Sequence, residues 1–350
     1  MHRTPSRVTM EPKYPQVSVN YPASTTFEEF SSTVLEIEKL HYDGLTVADQ
    51  SLRRNTYAWS AFAAHNTSNI WVGPAVTNPF SRNPGLTAAS VATIDEISNG
   101  RAILGLGLGG HGVGPFGYDQ TRSIGACKDT IIAVKKLLSG EKITMDAPEF
   151  KLHEALLEFT PIRRSIPLYI GGRGPLLLSL AGKFADGVFI GGGLLSKKGM
   201  AYAKDRISIG AESSNRSISD IDLRCFASLS IASDADVAFD GVSRHIATRV
   251  SHQANLEALQ KGGVSRNEIE HVANLDLDSL TTKELRDEVP LSIIEQFVLC
   301  GTPEYCSERF HSLFESGITN FTVVARVNDD NGRSECLKLF SDQILSPYFS

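Results

Sequence analysis

The sequence predicts an α/β protein, a (β/α)8 TIM barrel with insertion segments, on three observations. Short apolar runs alternate with longer amphipathic stretches along the 350 residues. Eight of these runs have strand character and each leads into a helical stretch, which calls for parallel strands joined by right-handed crossovers. Glycines gather just after the runs, at GLGLGGHG (105–112), GGRGP (171–175) and GGG (191–193), where a barrel carries its functional loops. The same alternation also allows an open doubly wound sheet.

The elements follow in order. Gln16 to Asn20 alternates like a strand. From Thr26 to Leu40, apolar residues at Phe27, Phe30, Val34, Ile37 and Leu40 line one helical face. Gly44 to Ala48 is a second strand, and Tyr57 to Ala64 a helix. Ile70 to Val76 is a third strand, with Pro74 removing a ladder hydrogen bond and implying a distortion near its end. Leu86 to Ile97 is helical, Ala102 to Leu108 the fourth strand, and Asp129 to Leu138 helical again. Residues 139–164 form a polar insertion whose KITM and EFKL stretches suit a hairpin. The fifth strand opens at Leu168 to Ile170, with a helix over Pro175 to Lys183. Asp186 to Ile190 is the sixth strand, followed by a helix to about Ile207. Leu223 to Ile231 is the seventh. Residues 235–290 are helical and charged, too long for one crossover, and expected to cover one side of the barrel. After FVLCG, Thr302 is placed to cap a helix beginning Pro303-Glu304. Asn320 to Ala325 is the eighth strand, and a last helix ends near Leu345. With no linker or repeat, residues 1–350 read as one domain.

Composition narrows the function. A net charge of −6 lacks the basic face that a nucleic-acid partner requires. The five cysteines form no C-x-x-C pair, so reduced thiols in a cytoplasmic protein are expected and zinc is not. The first residues contain no apolar core of a secretory signal, and no apolar run is long enough to cross a bilayer.

Candidate chemistry collects at the strand ends. In GGRGP, Gly171, Gly172 and Gly174 offer open backbone, Arg173 offers charge, and Pro175 starts a helix, a combination suited to phosphate. A tight βα turn with a solvated arginine is the alternative. Residues 105–112 contain G-x-G-x-x-G, but Gly114, Pro115 and Gly117 follow where a dinucleotide fold needs a helix. Asp49, at the end of the second strand, is either an acid, base or hydrogen-bond partner in the mouth or a helix cap. His111 is either a proton carrier or a solvated loop residue. Arg82 reads as a surface or ion-pair residue, or as an anchor for a carboxylate tail.

Three ordered segments then carry a likeness. Residues 73–110 (GPAVTNPFSRNPGLTAASVATIDEISNGRAILGLGLGG), 167–190 (PLYIGGRGPLLLSLAGKFADGVFI) and 300–324 (CGTPEYCSERFHSLFESGITNFTVV) resemble the luciferase-like flavin and deazaflavin oxidoreductase superfamily. Within it, the nearest look-alike is methylenetetrahydromethanopterin reductase. The resemblance implies a barrel that takes coenzyme F420 or FMN. It also implies a non-prolyl cis peptide at Ala75–Val76, with Ala75, Val76, Thr77 and Asn78 beside the ring. Gly107, Gly109 and Gly110 would flank the ring or its side chain, and Gly171, Gly172, Arg173 and Gly174 would hold the phosphate.

The sequence departs from that pattern twice. Many deazaflavin members carry Asp-His at the end of strand two, where this chain has Asp49-Gln50. Many carry an acid after the fourth-strand glycines, where this chain has Gly110 and then His111. The expected function is therefore F420-dependent hydride transfer to or from a small-molecule substrate, with Asp49 and His111 as candidate catalytic residues. The alternatives are an FMN-dependent monooxygenase fed by a partner flavin reductase, and a non-catalytic flavin-binding barrel. A homodimer is the expected assembly.

Overall fold

The computed structural model describes residues 14–250, 253–326 and 330–349, with the side chains of 110–112, 253–254 and 330–331 outside the description. In chain order the strands are β1 (Gln16–Tyr21), β2 (Gly44–Val47), β3 (Trp71–Pro74), β4 (Leu104–Leu106), β5 (Ile143–Ala147), β6 (Phe150–Ala155), β7 (Leu168–Gly172), β8 (Gly187–Ile190), β9 (Asp222–Ile231), β10 (Val298–Gly301) and β11 (Asn320–Ala325). Eight of them run β3-β2-β1-β11-β9-β8-β7-β4, each parallel to its neighbour. Bridges Val72–Ala102 and Thr77–Leu106 join the β3 and β4 edges. The strands thus form a (β/α)8 barrel, and the open-sheet alternative is set aside.

The helices form where their sequences cap and pattern them. Thr26 accepts from the Glu29 amide, and the following helix, Phe27–Ile37, buries Phe30, Val34 and Ile37 on one stripe. Asn83 and Pro84 open the helix Pro84–Ile97, and Thr302 and Pro303 open Pro303–Glu315 as expected. Two helices run longer than their apolar pattern suggested, Ser123–Ser139 and Lys197–Glu212. Residues 139–164 contain the antiparallel β5–β6 hairpin.

Sequence patterning assigns no strand to FVLCG, yet β10 pairs with β9. Four apolar residues carry no usable periodicity. The pairing exists because β9 is 10 residues long: Asp222–Cys225 pair with β8, and Ser228–Ile231 remain for β10. The described residues of 235–290 are mainly helical, as expected, and gather a core of their own around Ile246, Leu259 and Leu285, shared with Ile293, Phe297 and Val298. Phe297 lies where a Cβ on Gly192 would be, 2.8 Å from its Cδ1. The glycines after β8 thus seat this helical segment against the barrel.

The barrel interior is aromatic and rests on glycine. The Trp71 ring occupies the space of a Cβ on Gly44, and the Tyr169 ring that of a Cβ on Gly187, both at 2.1 Å. Trp71, Tyr169 and Phe189 stack across the interior, with centroids 6.3 and 4.8 Å apart. The floor, at the N-terminal ends of the strands, is ionic. Arg224, 2% exposed, donates to Asp43 at 2.9 Å and to Asp222 at 2.8 Å, and its guanidinium stacks 4.9 Å above Trp71. Burial alone would raise the Asp222 carboxyl; Arg224 and hydrogen bonds from Tyr169 and Asn320 hold it below the ordinary range. This plug belongs to stability, since barrel chemistry occurs at the opposite end. No described helix is long and apolar enough to cross a membrane.

Candidate functional site

The mouth is organised around the distorted end of β3. The ladder stops at Pro74, two residues before the run of apolar residues ends, and the Ala75–Val76 peptide is cis. Ala75 and Val76 both pack with the interior aromatic cluster, although strand alternation would send successive side chains to opposite faces. Asn20, from β1, holds the Ala75 carbonyl with a 2.6 Å hydrogen bond and also donates to Thr46 at 2.9 Å. Ala75 is buried, whereas Val76 is half-buried.

The neighbouring glycines make room for this bulge. A Cβ on Gly107 would lie 2.9 Å from one Val76 methyl, and a Cβ on Gly171 2.6 Å from the other. A Cβ on Gly105 would lie 2.5 Å from that of Ala75. The strand-end glycines therefore serve a neighbouring side chain first. Val76 becomes an apolar shelf that larger residues at these positions would displace.

Asp49 and Thr77 meet beside the shelf. The Thr77 hydroxyl donates to Asp49 Oδ2 at 2.7 Å, while Asp49 Oδ1 accepts from the Ser51 amide at 3.1 Å. Thr77 also closes the barrel through its backbone, receiving from Gly107 and donating to Gly105. The helix-cap reading of Asp49 is corrected: Asn55 caps the next helix, accepting from Tyr57 and Ala58. Asn78 spends its side-chain oxygen on the amides of Phe80 and Ser81, closing a tight turn. Arg82 makes no ion pair among the described residues; it stacks 4.6 Å over Tyr57 and donates to Ser90.

After β4, Gly109 has φ +86°, a conformation that favours glycine, and leads into a 3-10 segment over Gly110–Phe116. The chain therefore turns through a loop there, as the run of glycines suggested. The side chain of His111 lies outside the described residues.

GGRGP divides between two elements. Gly171 and Gly172 belong to β7, and Gly174 is the N-cap of Pro175–Phe184 with no side-chain capping bond. A Cβ on Gly174 would meet nothing within 4 Å, so space lies open in front of that helix end. Arg173 is half-buried, and its charge is disfavoured: burial first, then Arg249 nearby, push its pKa down to about 10.

Arg249 and its surroundings are what sequence reasoning missed. Arg249, in the helix Ser243–Val250, donates from Nε to His245 Nε2 at 3.1 Å. Arg326 follows β11 directly, and its pKa is pushed down to about 10 by burial, then by Arg249 and Arg333. Asn20 was also missed. Its signal was available, as the polar residue at the end of the alternating QVSVN run; the basic residues lie in unrelated segments and gave none.

Residues 4–320 match the luciferase-like monooxygenase family. The chain is 30% identical over 314 residues to 5,10-methylenetetrahydromethanopterin reductase of Methanolobus tindarius, covering 88% of this chain and 93% of that relative. Its fold is similar to the coenzyme F420-dependent tetrahydromethanopterin reductase of Methanopyrus kandleri, with TM-score 0.82, 22% identity, and 96% and 99% of the two chains covered. It is also similar to a monooxygenase of Streptomyces bottropensis, with TM-score 0.70, 16% identity, and 96% and 100% covered. The shelf in the barrel mouth, the family match and the extent of the likeness agree: this chain belongs to the luciferase-like monooxygenase family.

Proposed function

We propose that the chain is a coenzyme F420-dependent oxidoreductase, moving hydride between the deazaflavin and a small organic substrate. The observation that carries this reading is the Val76 shelf, a half-buried apolar surface seated against Gly107 and Gly171 with the Asp49–Thr77 pair beside it. Such a surface fits one face of a flat ring. The open space before Gly174, the uncapped helix end and Arg173 fit a phosphate. The relatives named as F420-dependent and methanopterin reductases favour the deazaflavin.

On this reading Ala75, Val76, Thr77 and Asn78 back the ring, Gly107, Gly109 and Gly110 flank it, and Gly171, Gly172, Arg173 and Gly174 hold the phosphate. When bound, the deazaflavin supplies a ring carbon that accepts or gives up hydride. The chain's residues supply position and polarity. Val76 would support one face of the ring, and Asn20 steadies Val76 by holding the preceding carbonyl. Asp49, held from both sides, polarises the substrate or exchanges a proton with it. His111 is the second candidate for the proton, since Gln50 stands where related enzymes carry histidine.

The likeness to a monooxygenase and the family's own description favour a second reading. In it the same mouth takes FMN, reduced by a partner enzyme, and oxygen. Titration of the purified protein with F420 and with FMN, followed by absorbance, separates the two. Tight F420 binding with weak FMN binding is expected. Preference for FMN, with oxygen uptake in the presence of a flavin reductase, replaces the first reading by the second. Binding of neither overturns both. Arg173→Glu should weaken cofactor binding at least about tenfold, the loss of one charge-assisted contact.

A further inference from the structure

Two arginines stand at strand ends in the mouth, and a third, from a helix, lies within electrostatic range of both. Arg173 follows β7, Arg326 follows β11, and Arg249 comes from the helix Ser243–Val250. All three are half-buried, and Arg249 lies close enough to repel the other two. Guanidinium groups taken out of water are normally matched by carboxylates. Elsewhere the most deeply placed guanidinium groups are answered, by carboxylates for Arg224, Arg163, Arg333 and Arg309, and by backbone carbonyls for Arg101.

Arg249 and Arg326 have neither kind of partner among the described residues. Among the described residues no carboxylate forms a salt bridge with either. Arg326 Nε is buried with no hydrogen-bond partner. The group that meets Arg249 is an imidazole nitrogen that accepts a hydrogen bond from the guanidinium, so that nitrogen carries no proton and His245 is neutral. Burial, then Arg326 and Arg249, push the His245 pKa down to about 3. His245 and Arg249 are four residues apart on one helical face, while Ile246 and Val250 hold that helix in its own core. The Arg326 amide is fixed to the Leu229 carbonyl at 2.8 Å. The positive charge of Arg249 and Arg326 is thus held in place by packing and, among the described residues, meets no carboxylate.

We propose that Arg249 and Arg326, together with His245, form an anion-binding subsite at the barrel mouth that takes a phosphate or carboxylate group. Two guanidinium groups offer a fixed array of donors suited to a tetrahedral or planar oxyanion. His245 offers a third contact, donating once its proton is positioned by the incoming charge. The subsite lies partly in the 235–290 segment, the kind of addition by which barrels select different substrates. Two sources fit this chemistry: an anionic group on the substrate, and the anionic tail of the cofactor reaching beyond Arg173. The subsite itself depends on neither cofactor reading.

The test is calorimetric titration of the full chain with inorganic phosphate at constant ionic strength. Phosphate is expected to bind the wild-type protein. Arg249→Gln and Arg326→Gln should each weaken phosphate binding at this subsite about tenfold, one charge-assisted contact each, and the double variant should lose it, leaving only what the Arg173 site holds. Arg266→Gln, at an exposed surface pair, should leave it unchanged. Loss of the repulsion should keep the double variant folded, with a thermal midpoint at or above wild type without phosphate; Arg326→Lys, which retains charge, should bind phosphate within a few-fold of wild type. Competition of F420 with the phosphate that the double variant loses assigns the subsite to the cofactor tail, whereas simultaneous binding of F420 and that phosphate assigns it to the substrate. Absence of phosphate binding at millimolar concentration, or equal affinity in the wild-type and double-variant proteins, overturns the proposal. Failure of F420 to bind in the separate cofactor titration would bear on the cofactor reading alone.

Discussion

The Thr77 hydroxyl and the Asp49 carboxylate are joined by a 2.7 Å hydrogen bond that ties the end of β2 to the segment after β3. With the Ser51 amide on its other oxygen, Asp49 has both oxygens oriented. Asp49→Asn keeps the size and removes the charge. It should lower kcat by about 100-fold or more, the usual contribution of a placed acid or base, with the circular dichroism spectrum unchanged. Thr77→Val, which removes only the orienting bond, should cost less. An unchanged kcat in Asp49→Asn would remove the residue from the chemistry.

Val76 and Gly171 make a second, purely steric prediction. Gly171→Ala places a methyl group 2.6 Å from a Val76 methyl. It should destabilise the protein by about 1–3 kcal/mol, the range for overpacking, and weaken cofactor binding as the shelf shifts. Val76→Ala in the Gly171→Ala background should recover part of the lost stability. Urea unfolding of the four proteins measures the coupling; strict additivity would show that the two side chains do not compete for space.

The floor makes a prediction independent of function. Arg224→Met leaves Asp43 and Asp222 buried without their shared cation. The loss should be about 3–5 kcal/mol, as for one partner removed from a buried ion pair. Chemical denaturation is the measurement. A loss below about 1 kcal/mol, typical of an exposed pair, would mean the plug is not stabilising.

His245 sets an acid limit. The folded pKa is about 3 against an ordinary 6.5, so between these values the unfolded chain holds more protons. This contribution to stability is therefore complete above pH 6.5 and falls away as the pH drops toward 3. His245→Gln should flatten that decline relative to wild type when urea midpoints are compared from pH 7 to pH 4. Parallel profiles would show that His245 titrates normally in the folded protein.

Much of the fold was legible because it rests on local rules. Thr302, Pro303 and the apolar stripe of Phe27–Ile37 act within a few residues of themselves. β10 was not legible, because its four residues become a strand only when β9 runs beyond β8. The site was legible in a different way. Pro74 marked the distortion in β3, and the family likeness located Ala75–Val76, where the cis peptide lies. The purpose of Gly107 and Gly171 was not visible: spacing shows that a side chain is missing, not which neighbour fills the room.

The sequence by itself determined the alternation of strand and helix, the caps, the distorted third strand and the family. Periodicity and turn chemistry are properties of short windows, and sequence patterning reads them directly. Tertiary structure alone decided that Val76 stands on two glycines, that Asn20 holds the backbone before it, and that Arg249 lies within electrostatic range of Arg173 and Arg326. Those three arginines are separated by 76 and 77 residues in the chain. Only closure of the barrel and packing of the helical segment beside it bring their charges within range of one another.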